Sequence, residues 1–230
     1  MSSAALQLIS SMATRKLLEE LAAAYAAKSG QAVACSAAGG VDVAKRVRAG
    51  EIFDVVVLAD NVIDTLIAEG HLLAGSRVDV VRSGVAVAVP AGAVLPDLSS
   101  ENAVRQAVLD APTLSYSTGP SGVYLEQLFA RWGIYETVKP RIVVPPPGVP
   151  VGSLVAKGQV ALGFQQLSEL LGIEGLVVVG PLPPPIQTIT VFAGGVSTRS
   201  AQAAAAAALL AHLGAPATAS VKQRHGMDGA

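Results

Sequence analysis

The segment Gly119-Pro-Ser-Gly-Val-Tyr-Leu-Glu-Gln-Leu-Phe-Ala-Arg-Trp-Gly133 runs a turn of small residues straight into a helical apolar pattern, Val123, Leu125, Leu128, Phe129 and Trp132. Pro120, Ser121 and Gly122 fall where the first N–H groups of that helix have no intrahelical partner. Unpaired donors and the helix dipole together favour an anion there. Apolar runs at 113–116 and 141–144 flank the segment and read as strands, so the helix starts at a strand end. The same residues also read as an ordinary capped helix; the spacing alone does not separate the two.

Three further loops carry similar chemistry. Ser10, Ser11 and Thr14 follow a first apolar run, and Gly39 and Gly40 follow a second. Gln165 and Gln166 close a late one, while Ser117 joins Ser121 and Gly122 in the turn above. Hydroxyls, bare backbone donors and amides hold an anion without a costly buried counter-charge. Arg15 and Lys16 sit in a helix first turn, where cations oppose the dipole unless an anion is near. Arg15 can also grip a carboxylate through two parallel hydrogen bonds.

Lys16, Tyr116, Tyr124 and Glu169 are the candidates for a proton-transferring group, and no neighbour in sequence marks any of them out. The aromatic core is the simpler role for both tyrosines, and a solvated helix position for Glu169. His71, His212 and His225 lie away from these loops, so a metal or Ser-His-Asp role is not expected. Gly39-Gly40 matches neither a phosphate P-loop nor a dinucleotide fingerprint. No cofactor and no metal are expected.

These loops must be positioned by strands alternating with helices. Runs at 6–9, 31–35 and 53–58 read as strands, with helices at 14–29, 42–49 and 61–69 each ending near a glycine. Strands at 84–90, 113–116, 141–144, 160–164, 175–179 and 188–194 follow. They are interleaved with helices at 101–110, 122–132, 151–157, 167–171 and 200–213. The rhythm predicts an α/β fold of two lobes, each a mostly parallel sheet flanked by helices. Lobe I is expected at 1–83 plus 189–230 and lobe II at 84–188, with a ligand cleft between them.

Composition narrows the classes. Half of the 230 residues are apolar and the formal net charge is −1, with no basic run, so nucleic acid is an unexpected partner. No apolar stretch approaches the roughly 20 residues that span a bilayer, so membrane insertion is not expected. Cys35 is the single cysteine and reads as a buried thiol. No secretory pattern follows Met1-Ser-Ser, which places the chain in the cytoplasm, or in the periplasm if a signal was trimmed.

The order of these motifs resembles the type II periplasmic solute-binding proteins, closest to the molybdate-binding (ModA-like) family. The resemblance rests on the Ser-Ser-Met-Ala-Thr turn, on 36–47 with Arg48-Ala-Gly-Glu-Ile-Phe-Asp54, and on Val57-Leu-Ala-Asp60. Gly119-Pro-Ser-Gly-Val-Tyr124 and Lys157-Gly-Gln-Val-Ala-Leu-Gly163 extend it over nearly the whole chain. It implies a small anionic ligand held between lobes joined by a hinge, and an ABC permease as partner if the protein is exported.

Departures from the family pattern bear on the ligand. Ala13 and Gly39 or Gly40 stand where the family places oxyanion-binding hydroxyls, and Gln166 stands where it has a tyrosine. Two glutamines and the extra room suit a di- or tricarboxylate, or a polyol, better than molybdate or tungstate. A ModA-like branch isomerises aconitate, and this chain looks as similar to that branch as to the transport receptors. Two functions follow: a binding protein for a small organic anion, and an isomerase that moves a proton or double bond on an unsaturated polycarboxylate.

Overall fold

The computed structural model describes residues 4–146 and 148–230; the Met1-Ser-Ser start of the expected first lobe lies outside the described residues. In chain order, β1 (Leu6–Ser11) leads through a 3₁₀ turn at Met12–Thr14 into α1 (Arg15–Ser29). Then come β2 (Val33–Ala38), α2 (Gly40–Arg48), β3 (Val55–Ala59), α3 (Asp60–Ala68), the long β4 (Val78–Pro90), α4 (Glu101–Asp110) and β5 (Leu114–Tyr116). The middle of the chain continues with α5 (Pro120–Arg131), α6 (Tyr135–Val138), α7 (Val151–Ala156), β6 (Leu162–Gln166), α8 (Leu167–Leu170) and β7 (Leu176–Pro181). It closes with β8 (Ile189–Val196), α9 (Ala203–Gly214), α10 (Ala219–Arg224) and the two-residue β9 (Asp228–Gly229).

The chain gathers into two compact units: one runs up to Ser83 and resumes at Thr190–Ala230, and the other is Gly84–Ile189. In the first, β1 pairs parallel with both β2 and β3, and β8 runs antiparallel to β3. Alternation along the strands sends Leu6, Leu8, Val55 and Val57 to one face, against Leu17, Leu18 and Leu21 of α1 and Leu209, Leu210 and Leu213 of α9. Ile9, Val56 and Leu58 point the other way, onto Val43 and Val47 of α2 and Ile63 and Leu66 of α3. The period of two on strands and the 3–4 spacing on helices produce this double-sided burial, and β3 reads as an unbroken apolar run because both faces are covered. Gly30 ends α1 at φ 75°, a left-handed cap that a residue with a Cβ adopts only at a cost.

The second unit follows the same rule. Val85, Val87 and Val89 of β4 pack on Val104 and Val108 of α4 and Leu125, Leu128 and Phe129 of α5. Ala86 and Ala88 face Val151 and Val155 of α7 and Leu170 of α8. Its sheet departs from the mostly parallel pattern expected: β5 and β6 are parallel, but β4 runs antiparallel to both β6 and β7. The reversal follows from chain path, because β4 enters this unit from the first one rather than after a crossover helix.

Three elements differ from the sequence reading. The run at 141–144 is not a strand. Lys139–Arg141 is a 3₁₀ turn, and only an isolated bridge joins Ile142 to Leu114. Pro140, Pro145 and Pro146 lack the N–H groups a ladder requires, and the Ile142 N–H donates back to Lys139 O. Residues 36–38 extend β2 instead of forming a loop. Beyond α9 the chain adds α10 and pairs β9 with Val81 and Arg82 of β4. Among the described residues, no single helix is long and apolar enough to cross a membrane.

Candidate functional site

The first unit presents the carboxyl ends of β1 and β2 side by side, in register Ser10 with Ala37 and Ser11 with Ala38. Each strand runs directly into a helical turn, so the openings of the Met12–Thr14 turn, α1 and α2 lie at one sheet edge. None of these openings is capped by a side chain, although Ser11, Thr14 and Gly39 hold the N-cap positions. The helix α4, by contrast, is capped in the usual way, with Ala103 N–H donating to Ser100 Oγ at 3.2 Å.

The three hydroxyls expected here are not equivalent. Ser10 Oγ donates to Ser11 O at 3.1 Å and Thr14 Oγ1 to the same carbonyl at 3.2 Å, so both tighten the turn. Ser11 Oγ has no partner, yet the residue is only 8% exposed. A buried hydroxyl left unpaired costs roughly 1–3 kcal/mol, which a ligand oxygen would recover. Ala13 is buried, so the first loop keeps an unpaired hydroxyl at Ser11 in spite of the alanine.

Gly39 and Gly40 need not be glycine for backbone reasons. Gly39 has φ −56°, and a Cβ on either would meet its nearest neighbour at 3.4 and 3.8 Å, ordinary contacts. Their bareness leaves the α2 opening accessible. Arg15 and Lys16 are exposed on the first turn of α1, and Arg15 makes no ion pair among the described residues.

The second unit presents the Ser117–Gly122 turn. Ser117 Oγ and Ser121 Oγ share a hydrogen bond at 2.9 Å, with Ser121 buried. Gly122 is placed differently from expectation. Its N–H donates to Gly119 O at 3.0 Å, so it is not a bare donor. A Cβ at 122 would fall 1.6 Å from Ser117 O, so the position is glycine for steric reasons. That close approach brings the Ser117 strand end over the start of α5.

Gln165, expected to offer an amide, is tied into the fold at both ends. Its Oε1 accepts from Gly152 N–H at 2.9 Å at the start of α7, and its Nε2 donates to Glu169 Oε1 at 2.8 Å. Gln166 is buried at the end of β6. Burial pushes the Glu169 carboxyl up to about 7, against the opposing pull of the Gln165 bond. Glu169 is therefore the proton-transfer candidate whose carboxyl titrates near neutrality.

Tyr124 Oη donates to Ile186 O at 2.9 Å, which ties its hydroxyl to the core of the second unit. Tyr116 Oη donates to Glu126 Oε1 at 3.1 Å; burial, and then the neighbouring Glu126 charge, raise the phenol, so it acts as a donor and not as a base. Glu126 was missed in the sequence. The signal was there, since 122 and 126 share one face of α5 at helical spacing. Among the described residues no group of three or more His, Cys, Asp or Glu side chains is placed to hold a metal.

Each of the two α/β units carries helix openings and hydroxyls at strand ends, an arrangement in keeping with the solute-binding class. The chain belongs to the family described as bacterial extracellular solute-binding proteins, whose model matches residues 6–228. Among curated proteins it is similar to an aconitate isomerase of Pseudomonas sp., 36% identical over 216 residues that cover 90% of this chain and 81% of that one. Solved structures share the fold. The periplasmic molybdate-binding protein of Azotobacter vinelandii superposes with a TM-score of 0.79 at 22% identity, covering 96% of this chain and 98% of that one. The tungstate ABC transporter structure from Geobacter sulfurreducens gives 0.70 at 15%, covering 95% and 97%.

Proposed function

We propose that this protein binds a small organic anion, a di- or tricarboxylate, through neutral donors at strand ends and helix openings. The observation that carries the reading is Ser11 Oγ, buried and unpaired beside the uncapped openings of α1 and α2. The Ser117–Ser121 hydroxyl pair and the α5 opening supply the second donor set. Neutral donors in such places hold a carboxylate without a buried counter-charge, and Arg15, exposed on the first turn of α1, would add charge. Gly39 and Gly40 add no side chain at the α2 opening, which suits a ligand larger than a tetrahedral oxyanion. In a solute-binding role the partner is an ABC permease and the working compartment lies outside the cytoplasm.

A second reading, isomerisation of an unsaturated tricarboxylate, is favoured by two observations. The Pseudomonas relative carries the name aconitate isomerase, and Glu169 titrates near neutrality, as a group that both takes and returns a proton should. Donors at helix openings would stabilise the enolate-like charge that such a transfer develops.

Thermal unfolding of the purified chain against molybdate, tungstate, sulfate, cis- and trans-aconitate, citrate and succinate tests the binding reading. A ligand at about 100 times its Kd adds roughly 2.7 kcal/mol, a shift of several degrees. Stabilisation by carboxylates and not by molybdate is the expected result; the reverse overturns it. Proton NMR of cis-aconitate incubated with the protein, with Glu169→Gln as control, decides between binding alone and isomerisation.

A further inference from the structure

Beside the Ser117–Gly122 turn, wholly within the second unit, lies a cavity of about 320 Å³. A water molecule takes about 30 Å³, and small-molecule sites begin near 300 Å³, so the space suits an organic molecule and far exceeds an oxyanion. Its wall carries both signs of charge. Glu126 contributes a carboxylate whose Oε1 already accepts from Tyr116 Oη at 3.1 Å, which fixes its direction. Lys139 contributes an ammonium held 5.6 Å from the centroid of the Tyr135 ring. Lys139 also forms an exposed ion pair with Glu136 at 3.8 Å, longer than a hydrogen bond and so open to exchange for a ligand carboxylate. Ser117 and Thr118 line the side nearest the turn.

An inorganic anion entering this cavity would be repelled by Glu126. A molecule with a hydroxyl for Glu126 and a carboxylate for Lys139 satisfies both walls, while a second carboxylate reaches the hydroxyls of Ser117 and Ser121. We infer that the cavity is the specificity pocket for a carboxylate held at the Ser117–Gly122 turn and selects hydroxylated di- and tricarboxylates over their unhydroxylated counterparts. The inference rests on the carboxylate-binding reading above and adds which members of that class bind best. Glu126 reads the hydroxyl and Lys139 the far carboxylate; neither takes part in the anion turn itself.

Calorimetric titration of the full chain with two matched pairs tests it: malate against succinate, and citrate against tricarballylate. The hydroxylated member should bind about tenfold tighter, as expected for one hydrogen bond to a charged group. Glu126→Leu should erase that preference while leaving succinate within about twofold. Lys139→Met should weaken all four roughly tenfold. Glu126→Gln, which keeps an acceptor for Tyr116, guards against a folding defect, and it should reduce the preference without changing the melting temperature. A hydroxyl preference that is absent, or that survives Glu126→Leu, overturns the pocket. If Ser117→Ala weakens all four acids equally while Glu126→Leu changes nothing, the anion site stands and only the pocket falls. If none of the four binds the unaltered protein, the site reading itself falls, and the pocket with it.

Discussion

Gln165 Nε2 donates to Glu169 Oε1 at 2.8 Å while the other end of the same amide holds the first turn of α7 through Gly152 N–H. A titrating carboxyl is thus linked through one side chain to the start of a helix. Burial raises Glu169 from its ordinary value of 4.5 to about 7 in the folded protein, so folding favours its protonated form. The contribution is fully present below about pH 4.5 and is lost as pH rises through about 7, after which it is flat. Glu169→Gln keeps an acceptor for Gln165 and cannot ionise. Its stability relative to the unaltered chain should therefore rise between pH 5 and pH 8, by on the order of 1–3 kcal/mol. Urea unfolding at the two pH values measures this; a difference that does not change with pH would remove the burial of this carboxyl from the account.

The glycines in the two donor sets should respond oppositely. At 122 a methyl group falls 1.6 Å from Ser117 O, a backbone atom that cannot move without opening the turn. Gly122→Ala should cost about 3 kcal/mol or more, a drop of several degrees in Tm. At 39 and 40 a Cβ meets its neighbours at ordinary contact distances, and the unfolded chain loses entropy, so stability should be unchanged or raised by about 0.4–1 kcal/mol. Carboxylate affinity should nevertheless fall in the latter two, because the methyl groups occupy the approach to the α2 opening. Differential scanning calorimetry alongside titration separates the two effects.

Much of the fold was legible because apolar periodicity and glycine stops are local signals. α4 occupies 101–110 as the pattern implied, and α1 begins one residue late. What failed depended on partners distant in sequence. The 141–144 run has strand composition, but its neighbouring prolines and the turn at Lys139–Arg141 prevent a ladder, and Arg141 Nη1 donates to the Leu109 and Ala111 carbonyls at the C-terminal end of α4. The two-residue β9 is too short to show a period, and only its pairing with Val81 and Arg82 defines it. In the site, residue type found the hydroxyls but could not rank them. Ser10, Ser11 and Thr14 look equal in a string, and the geometry shows that two of them donate to one carbonyl while the third has no partner. Gln165 looked like a ligand amide for the same reason: whether both ends of an amide are engaged is a tertiary fact.

Tyr124 offers a control that a general loosening of the second unit would not pass. Its hydroxyl donates to Ile186 O at 2.9 Å, and Ile186 is itself buried in the core that contains Leu125 and Phe129. Tyr124→Phe should cost about 1 kcal/mol, the net value of one hydrogen bond, with carboxylate affinity unchanged, and isomerisation, if present, unaffected. Affinity that falls with this variant by more than the loss of stability explains would return Tyr124 to the candidate acids.

Ser11 carries the sharpest test, because stability and binding should move in opposite directions. Its Oγ is buried without a partner, so in the ligand-free protein the hydroxyl is a net cost of roughly 1–3 kcal/mol. Ser11→Ala removes that cost and leaves a small apolar group at a site that is 8% exposed. The ligand-free variant should melt a few degrees higher than the unaltered chain. Its affinity for the best carboxylate should fall about tenfold, the equivalent of roughly 1.4 kcal/mol, as one donor to the ligand is lost. Ser10→Ala and Thr14→Ala provide the contrast: each removes a bond to Ser11 O, so each should lower stability. A Ser11 variant that loses stability as they do would mean the hydroxyl supports the turn, and the anion site would have to be sought without it.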